Sequence, residues 1–540
     1  MIFKRCAARE DLRSEPARRL LARRAGAILP LVLVLLPLGA LVSAIAGEGG
    51  LGVWFEGRFG LILEYAAGSL ASALVAASLA WILGTSLAWL AAFYDFPFRR
   101  FLSFFAALPL AVPAYLAVYA HAGFLDITGP ISRGLRGAVP DSAFRLAPGG
   151  TLWLGIVLGF QLYPYVYLIV YPALRRGLRS PLDAARVLGR EGFCLFLRPG
   201  LSLARPFSAA GALLVAMEAL NEYGAAAYLG APTLTSGLVR AWSHAFDIGA
   251  AASIALLLAG LALLLVAAEK AIRGRGRYAS SLKSAQRGAS FPRTRPRRAW
   301  LFSLLFILAA TPGLAVPLIQ SAWWILLFPR DPGVRLFSAV GGSLFIILVA
   351  GGLALLGGLA SLLLFRAFGG SPRRSGLMSF SAKAGYAVPA VVLALGFVRL
   401  GGGALAGFVS GLALLVAALT ARFMGVAYGG LEAAWSHRVE PYRAPAELAS
   451  PSAFARIRGI YTPLLRPAIF STGLLVALDL VKELGASLLL RPLGFESLAT
   501  YAYEQASQEL PHLTALPGLA IVALSGLVVW RVYKEYFHEV

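Results

Sequence analysis

The sequence predicts an all-α membrane protein, with about twelve transmembrane helices in two parallel-repeat six-helix domains. Three observations predict it: apolar content, the placement of the basic residues, and an internal repeat. Of the 540 residues 59% are hydrophobic and 14% charged, a balance that a soluble core of this size does not need. Apolar runs of about 20 residues are long enough to cross a bilayer. Roughly twelve such runs occur, centred near residues 36, 80, 111, 161, 216, 258, 312, 351, 391, 414, 478 and 523.

The formal net charge of +23 suggests a nucleic-acid partner only if the basic residues share a soluble face, and they do not. They lie beside the apolar runs. Lys4, Arg5, Arg9, Arg13, Arg18, Arg19, Arg23 and Arg24 precede the first run, and a second basic group from Lys270 to Arg298 fills one central segment. Short loops rich in Lys and Arg stay in the cytoplasm. With twelve spans, loops near 95–100, 172–206, 270–299, 365–383 and 429–466 then fall on the cytoplasmic side with both termini. The first run ends SAIAG, similar to a signal-peptidase site, but its basic and apolar regions are both long for a cleaved signal, so a retained span is expected. Cys6 and Cys194, the only cysteines, are both expected inside, where no structural disulfide forms.

Residues 205–225, RPFSAAGALLVAMEALNEYGA, align without a gap on 466–486, RPAIFSTGLLVALDLVKELGA, with about nine of twenty-one positions identical. Chance gives one or two. LPLAVPAYLAVYA at 108–120 pairs in the same way with GYAVPAVVLALGF at 385–397 around a shared AVPA. Six spans per half give both halves the same orientation, a repeat about an axis along the membrane normal. The expected organisation is a basic segment 1–24, a first domain 25–269, a basic linker 270–299 and a second domain 300–540.

The repeat pairs three polar positions inside otherwise apolar helices: Glu218 with Asp479, Asn221 with Lys482, and Glu222 with Glu483. Spacing of i, i+3 and i+4 places each trio on one helix face. Ionisable residues at membrane depth face a bundle interior or an aqueous cavity, so these six are the candidate translocation pathway or gate.

Each half also carries a long loop between its fourth and fifth spans. In SPLDAARVLGREGFCLFLRPGLSLARP at 180–206, Ser180 and Pro181 suit a helix start, Asp183 complements the helix dipole, and Gly189 can end the helix. DAARVLG followed by LSLARP resembles the EAA loop of ABC-importer permeases: Asp183, Ala184, Ala185, Gly189 and Leu201 match, with Asp for Glu and Ser202 for Pro. In the second loop Arg443, Ala444, Pro445 and Ala449 stand at the motif positions, so the Glu and Gly are missing, and one residue is inserted downstream. The resemblance implies coupling helices that dock on an ATPase subunit.

YPYVYLIVYPAL at 163–174, NEYGAAAYLGAPTLTSGLVRAW at 221–242 and VKELGASLLLRPLGFESLATYAYEQAS at 481–507 resemble the fused two-domain permeases of ferric-iron importers, from about residue 60 onward. Permeases for thiamine, polyamines and phosphonate are alternatives. The resemblance implies a bacterial inner-membrane permease served by two copies of an ABC ATPase and a periplasmic solute-binding protein, with no nucleic-acid partner.

No G-x-x-x-x-G-K-[ST] loop occurs, so no ATP site and no enzyme activity are expected in this chain. No H-E-x-x-H or paired C-x-x-C occurs and the five histidines are scattered, so neither a metal site nor a cofactor is expected. VAGGLALLGGLASLL and LGGGALAGFVSG read as close helix packing through small residues. Tyr163, Tyr165 and Tyr167 read either as interfacial aromatics or as the lining of a cation path; the first is preferred, since a path must release its solute. For Lys482, a lock with Asp479 or Glu483, or with Glu218 or Glu222 of the other half, is preferred over solute contact, because its cation repels Fe³⁺. A secondary transporter driven by an ion gradient is the rival from another class.

Overall fold

The computed structural model describes residues 26, 28–46, 59–126, 129–130, 134, 150–177, 179–190, 192–273, 295–329, 333–366, 382–402, 410–450 and 452–538. The basic segment 1–24 and most of the basic linker lie outside them, as does the body of the loop 365–383. The described chain is all α-helical. Among the described residues ten helices are long and apolar enough to span a membrane, and an eleventh counts if the bent pair Arg99–Ala111 and Ala114–Leu125 is one span. All twelve expected centres fall on apolar helices. The run near 391 is the exception in length: Ala390–Gly402 is a short apolar helix.

Both departures from straight spans have one cause, the repeated AVPA. Proline lacks the N–H that continues a helix and pushes the preceding residue to extended backbone. Val112 accordingly has ψ 126°, Pro113 caps a new helix, and the two arms meet at 96°. In the second copy the helix likewise restarts after Pro389. Breaking a helix at membrane depth frees carbonyls that lipid cannot satisfy. In the first copy the buried Gln161 side chain donates to Pro109 O and, at 2.7 Å, to Val112 O.

Gln161→Leu removes this donor at nearly constant volume. Losing hydrogen bonds to buried carbonyls costs about 1–3 kcal/mol, so the variant unfolds at a lower temperature in a detergent thermal-shift assay. An unchanged midpoint shows that other contacts hold the break.

The chain packs as two compact units, each drawn from distant segments. One comprises residues 49–339 and 498–540, the other residues 1–48 and 340–497. In the first, helix Phe59–Phe93 packs along Thr151–Arg175. Glycine permits the close approach: a methyl group at Gly84 would lie 2.6 Å from Val166 Cβ, and one at Gly155 would lie 2.7 Å from Val75 Cβ. Pro296–Leu327 joins this unit through Ser303, whose hydroxyl donates to Pro97 O at 2.9 Å.

In the second unit, Ile28–Ala46 packs with the later segments: a methyl group at Gly396 would lie 2.6 Å from Pro37 Cβ. Its core joins Ala390, Leu415, Leu419, Val476 and Leu480. The packing units therefore interleave along the chain, whereas the repeat runs in sequence. A methyl group at Gly358 would lie 3.0 Å from Ala427 Cβ, the close small-residue packing expected of VAGGLALLGGLASLL. Residues 403–409 of LGGGALAGFVSG lie outside the described residues.

Tyr163 and Tyr167 correct an expectation. Both are fully buried inside helix Thr151–Pro172, not interfacial, because their helix face meets neighbouring helices; Tyr165 is half-buried. Cys194 is an exposed free thiol.

Candidate functional site

The two copies of the polar motif adopt the same backbone. Helix Leu201–Asn221 ends at Asn221, and Glu222 is extended with φ −75° and ψ 115°. Helix Thr462–Lys482 ends at Lys482, and Glu483 is extended with φ −69° and ψ 118°. Neither trio therefore shares one continuous helix face, contrary to the spacing argument: the third residue of each lies beyond the helix end.

The reason is local. Each terminal carboxylate serves the short helix that follows, where unsatisfied N–H groups and the helix dipole favour an anion. Glu222 Oε1 accepts from Ala225 N at 3.0 Å. Glu483 Oε1 accepts from Ala486 N at 2.8 Å, and Oε2 accepts from Ser487 N at 3.2 Å and from the Ser487 hydroxyl at 3.0 Å. These two glutamates hold the shape of the break.

Glu483→Ala leaves two buried backbone donors without an acceptor and costs about 1–3 kcal/mol. The protein should accumulate poorly and melt earlier, with Glu483→Gln intermediate. Equal melting of all three would show that the cap contributes nothing.

Upstream, Lys482 Nζ lies 3.6 Å from Asp479 Oδ1, with both side chains mostly buried. Of the pairings open in the sequence, this within-helix one is present. The corresponding Glu218 and Asn221 are half-buried in their own unit.

The loop helices are equally instructive. The first spans Arg179–Val187. Gly189 N donates to Arg186 O at 2.9 Å and Arg190 N to Ala185 O at 3.1 Å, while Ala184 O accepts from Leu188 N at 3.2 Å. Gly189 has φ +80°, the left-handed cap that favours glycine. Asp183 accepts from Arg186 at 2.9 Å, and the Arg186 guanidinium lies 5.1 Å from the Phe93 ring, tying the loop helix to a spanning helix. At the end of this loop helix Val187 and Leu188 are 88% and 83% exposed.

The second loop helix, Arg443–Ala449, is shorter. Arg443 pairs with Glu447 at 3.1 Å and Glu440 at 3.5 Å, and Ala444 and Pro445 occupy the first turn, where proline is tolerated. After Ala449 the chain leaves through extended Ser450, φ −150°. The missing glycine thus changes the exit, while Leu448 remains exposed at the helix end. One π-helical turn flanks each loop helix on either side: Ala173–Gly177 and Phe196–Gly200, then Trp435–Val439 and Ile457–Tyr461. Such wide turns recur at functional sites.

Two polar residues escaped the sequence argument. Gln161 holds the proline break, and Arg422 is 5% exposed with its guanidinium 5.5 Å from the Tyr386 ring, three residues before Pro389. Each interrupts an apolar run, which was the available signal. Glu432 joins Lys383 at 3.1 Å and Arg366 at 3.5 Å, near the end of helix Gly411–Ala434 that leads into the second loop.

The described helices, with broken spans and a loop helix in each half, form an all-α membrane protein. Comparison with known proteins specifies the kind. The chain is 24% identical to the Fe(3+)-transport system permease protein FbpB 2 of Haemophilus influenzae, over 84% of this chain and 86% of that one. It is 29% identical to the sulfate transport system permease protein CysT of Escherichia coli, over 44% of this chain and 85% of that one. The spermidine/putrescine transport system permease protein PotB of Escherichia coli is also 29% identical, over 38% of this chain and 77% of that one. No family model matches the chain. The chain is similar over most of its length to an Fe(3+)-transport permease, and a fused two-domain architecture of the ABC-importer permease kind fits it. Polyamines stand among the alternatives raised by the motifs; sulfate does not.

Proposed function

We propose that the chain is the membrane pathway of an importer for ferric iron, delivered from outside by a soluble binding protein. Two copies of a separate ATPase subunit engage the loops at 180–206 and 440–467. The observation that carries the reading is the similarity to an Fe(3+)-transport permease over 84% of the chain, spanning both halves where the sulfate and polyamine relatives align with less than half of it.

The loop helices support the coupling role. Asp183, Ala184, Ala185 and Gly189 build a capped helix with exposed Val187 and Leu188, a surface that suits a protein partner. Arg443, Ala444, Pro445 and Ala449 build its shorter counterpart. Closure of the ATPase pair would move these helices and switch the bundle between inward-open and outward-open states. Glu218, Asn221, Glu222, Asp479, Lys482 and Glu483 then act at the gate, with Glu222 and Glu483 shaping the breaks and Lys482 held by Asp479. Both termini face the cytoplasm.

The test is uptake into proteoliposomes holding the chain and its ATPase, with binding protein loaded with labelled iron. ATP-dependent iron accumulation is expected. Accumulation of sulfate or spermidine instead overturns the solute, and gradient-driven uptake without the ATPase overturns the mechanism.

A further inference from the structure

In the unit of residues 1–48 and 340–497 a groove of about 330 Å³ opens between helices Gly352–Arg366 and Thr462–Lys482, at the lower end of the size range of ligand pockets. Leu355, Arg466, Ile469, Phe470, Gly473 and Leu474 line it, and among these Arg466 alone is charged. Gly473 keeps the groove open: a methyl group there would lie 3.3 Å from Leu355 Cδ2, so a larger side chain fills the space.

Arg466, Ile469, Phe470 and Gly473 follow the i, i+3, i+4, i+7 spacing of one helix face. That face is not the one that carries the polar motif. At 3.6 residues per turn Arg466 and Asp479 lie roughly 140° apart around the helix axis, so the groove points away from the Asp479–Lys482 pair. Phe470 is 53% exposed, and an apolar face left open at membrane depth meets lipid.

Arg466 adds what an acyl chain alone does not explain. It is exposed one turn inside its helix, roughly 6 Å along the axis from Thr462, and among the described residues its side chain has no ion pair or hydrogen bond. Under the proposed topology this end faces the cytoplasm, where the leaflet surface is negative. A guanidinium there presents paired donors that match a phosphate. The duplicated copy keeps the charge as Arg205, but Ser208 and Ala209 stand where Ile469 and Phe470 do, and Ala212 stands where Gly473 does. The arginine is common to both halves; the apolar lining beside it is particular to the second.

We infer that this groove holds one anionic phospholipid, with an acyl chain along Leu355, Ile469, Phe470 and Leu474 and the headgroup phosphate on Arg466. A zwitterionic headgroup offers the same phosphate but sets its own ammonium beside the guanidinium, which favours the anionic lipid. The inference goes beyond the importer reading and depends on it only for the choice of leaflet. Helix Thr462–Lys482 joins the second loop to the Asp479–Lys482 pair, so a lipid seated here bears on the span that links them.

The test places the full chain in phosphatidylcholine nanodiscs doped with phosphatidylglycerol that carries a diazirine in its acyl chain, and maps the photo-adducts by peptide mass spectrometry. Adducts concentrated on residues 469–474 are expected, with at least fivefold less from the matching phosphatidylcholine probe. Unlabelled phosphatidylglycerol should compete, and glycerol phosphate, the headgroup without its chains, should not. Arg466→Gln and the groove-filling Gly473→Leu should each lower the yield at least fivefold, while Arg205→Gln stays within twofold of the parent. Smaller losses in both groove variants, equal labelling by the two lipids, competition by glycerol phosphate, or an equal loss from Arg205→Gln overturns the proposal. The comparison of the two lipids uses the unaltered chain and decides the point even if a variant fails to fold. Labelling needs neither ATP nor partners, so failure of the importer reading shows separately, as absent uptake with lipid labelling intact.

Discussion

Gly189→Ile should leave the reconstituted complex hydrolysing ATP while uptake per ATP falls at least tenfold. At φ +80° an L-residue pays roughly 1–2 kcal/mol, and a β-branched one more. Among the described residues nothing lies within 4 Å of a methyl group built there, so the substitution meets no steric block from them and the bundle still folds. What changes is the path of the chain out of helix Arg179–Val187, and with it the placement of Val187 and Leu188. Two controls separate backbone from bulk: Gly189→Asn, which tolerates the left-handed region, should retain most coupling, and Ala449→Ile should have a small effect because that helix ends through extended Ser450. Wild-type uptake per ATP in Gly189→Ile would remove the coupling role from this loop.

Lys482→Met should lower both protein accumulation and transport, the latter at least tenfold. An ammonium 3.6 Å from a carboxylate at membrane depth offsets a burial cost of roughly 2.5–3.5 kcal/mol per charge at a helix centre. Removing the cation alone leaves Asp479 with that cost and without this partner. The pair Asp479→Asn with Lys482→Met removes both charges together and should restore accumulation, as neutral replacement of buried pairs often does. Restored accumulation with transport still lost assigns Lys482 to the gate. Recovery of both makes it a structural lock, and a fully active single variant eliminates either role.

The difference between the two polar motifs shows where sequence reasoning stops. Spacing of i, i+3 and i+4 treats the helix as continuous, yet both helices end after the second residue of the trio. Glu222 and Glu483 turn away to cap the next helix because a buried N-terminus needs an acceptor, and a spacing rule has no term for that need. Tyr163 and Tyr167 failed in a related way. Their composition suits a membrane surface, but their burial depends on which neighbours cover that helix face. Gln161 and Arg422 were visible as polar residues in apolar runs; what they touch came from folding alone.

What the sequence determined by itself was everything the bilayer demands locally. Lipid offers no hydrogen bonds, so each span must be a self-satisfied helix, and the twelve apolar runs, the repeated AVPA breaks and the duplicated polar motif are legible within a few tens of residues. Tertiary structure alone decided how those pieces combine: Ile28–Ala46 packs with residues 340–497, and Pro296–Leu327 packs with the unit of the first repeat. Such contacts depend on small-residue surfaces such as Gly84 and Gly396 meeting partners far along the chain. Van der Waals fit between distant helices leaves no periodic trace in either sequence, which is why the groove lined by Leu355, Arg466 and Phe470 was invisible until the helices were in place.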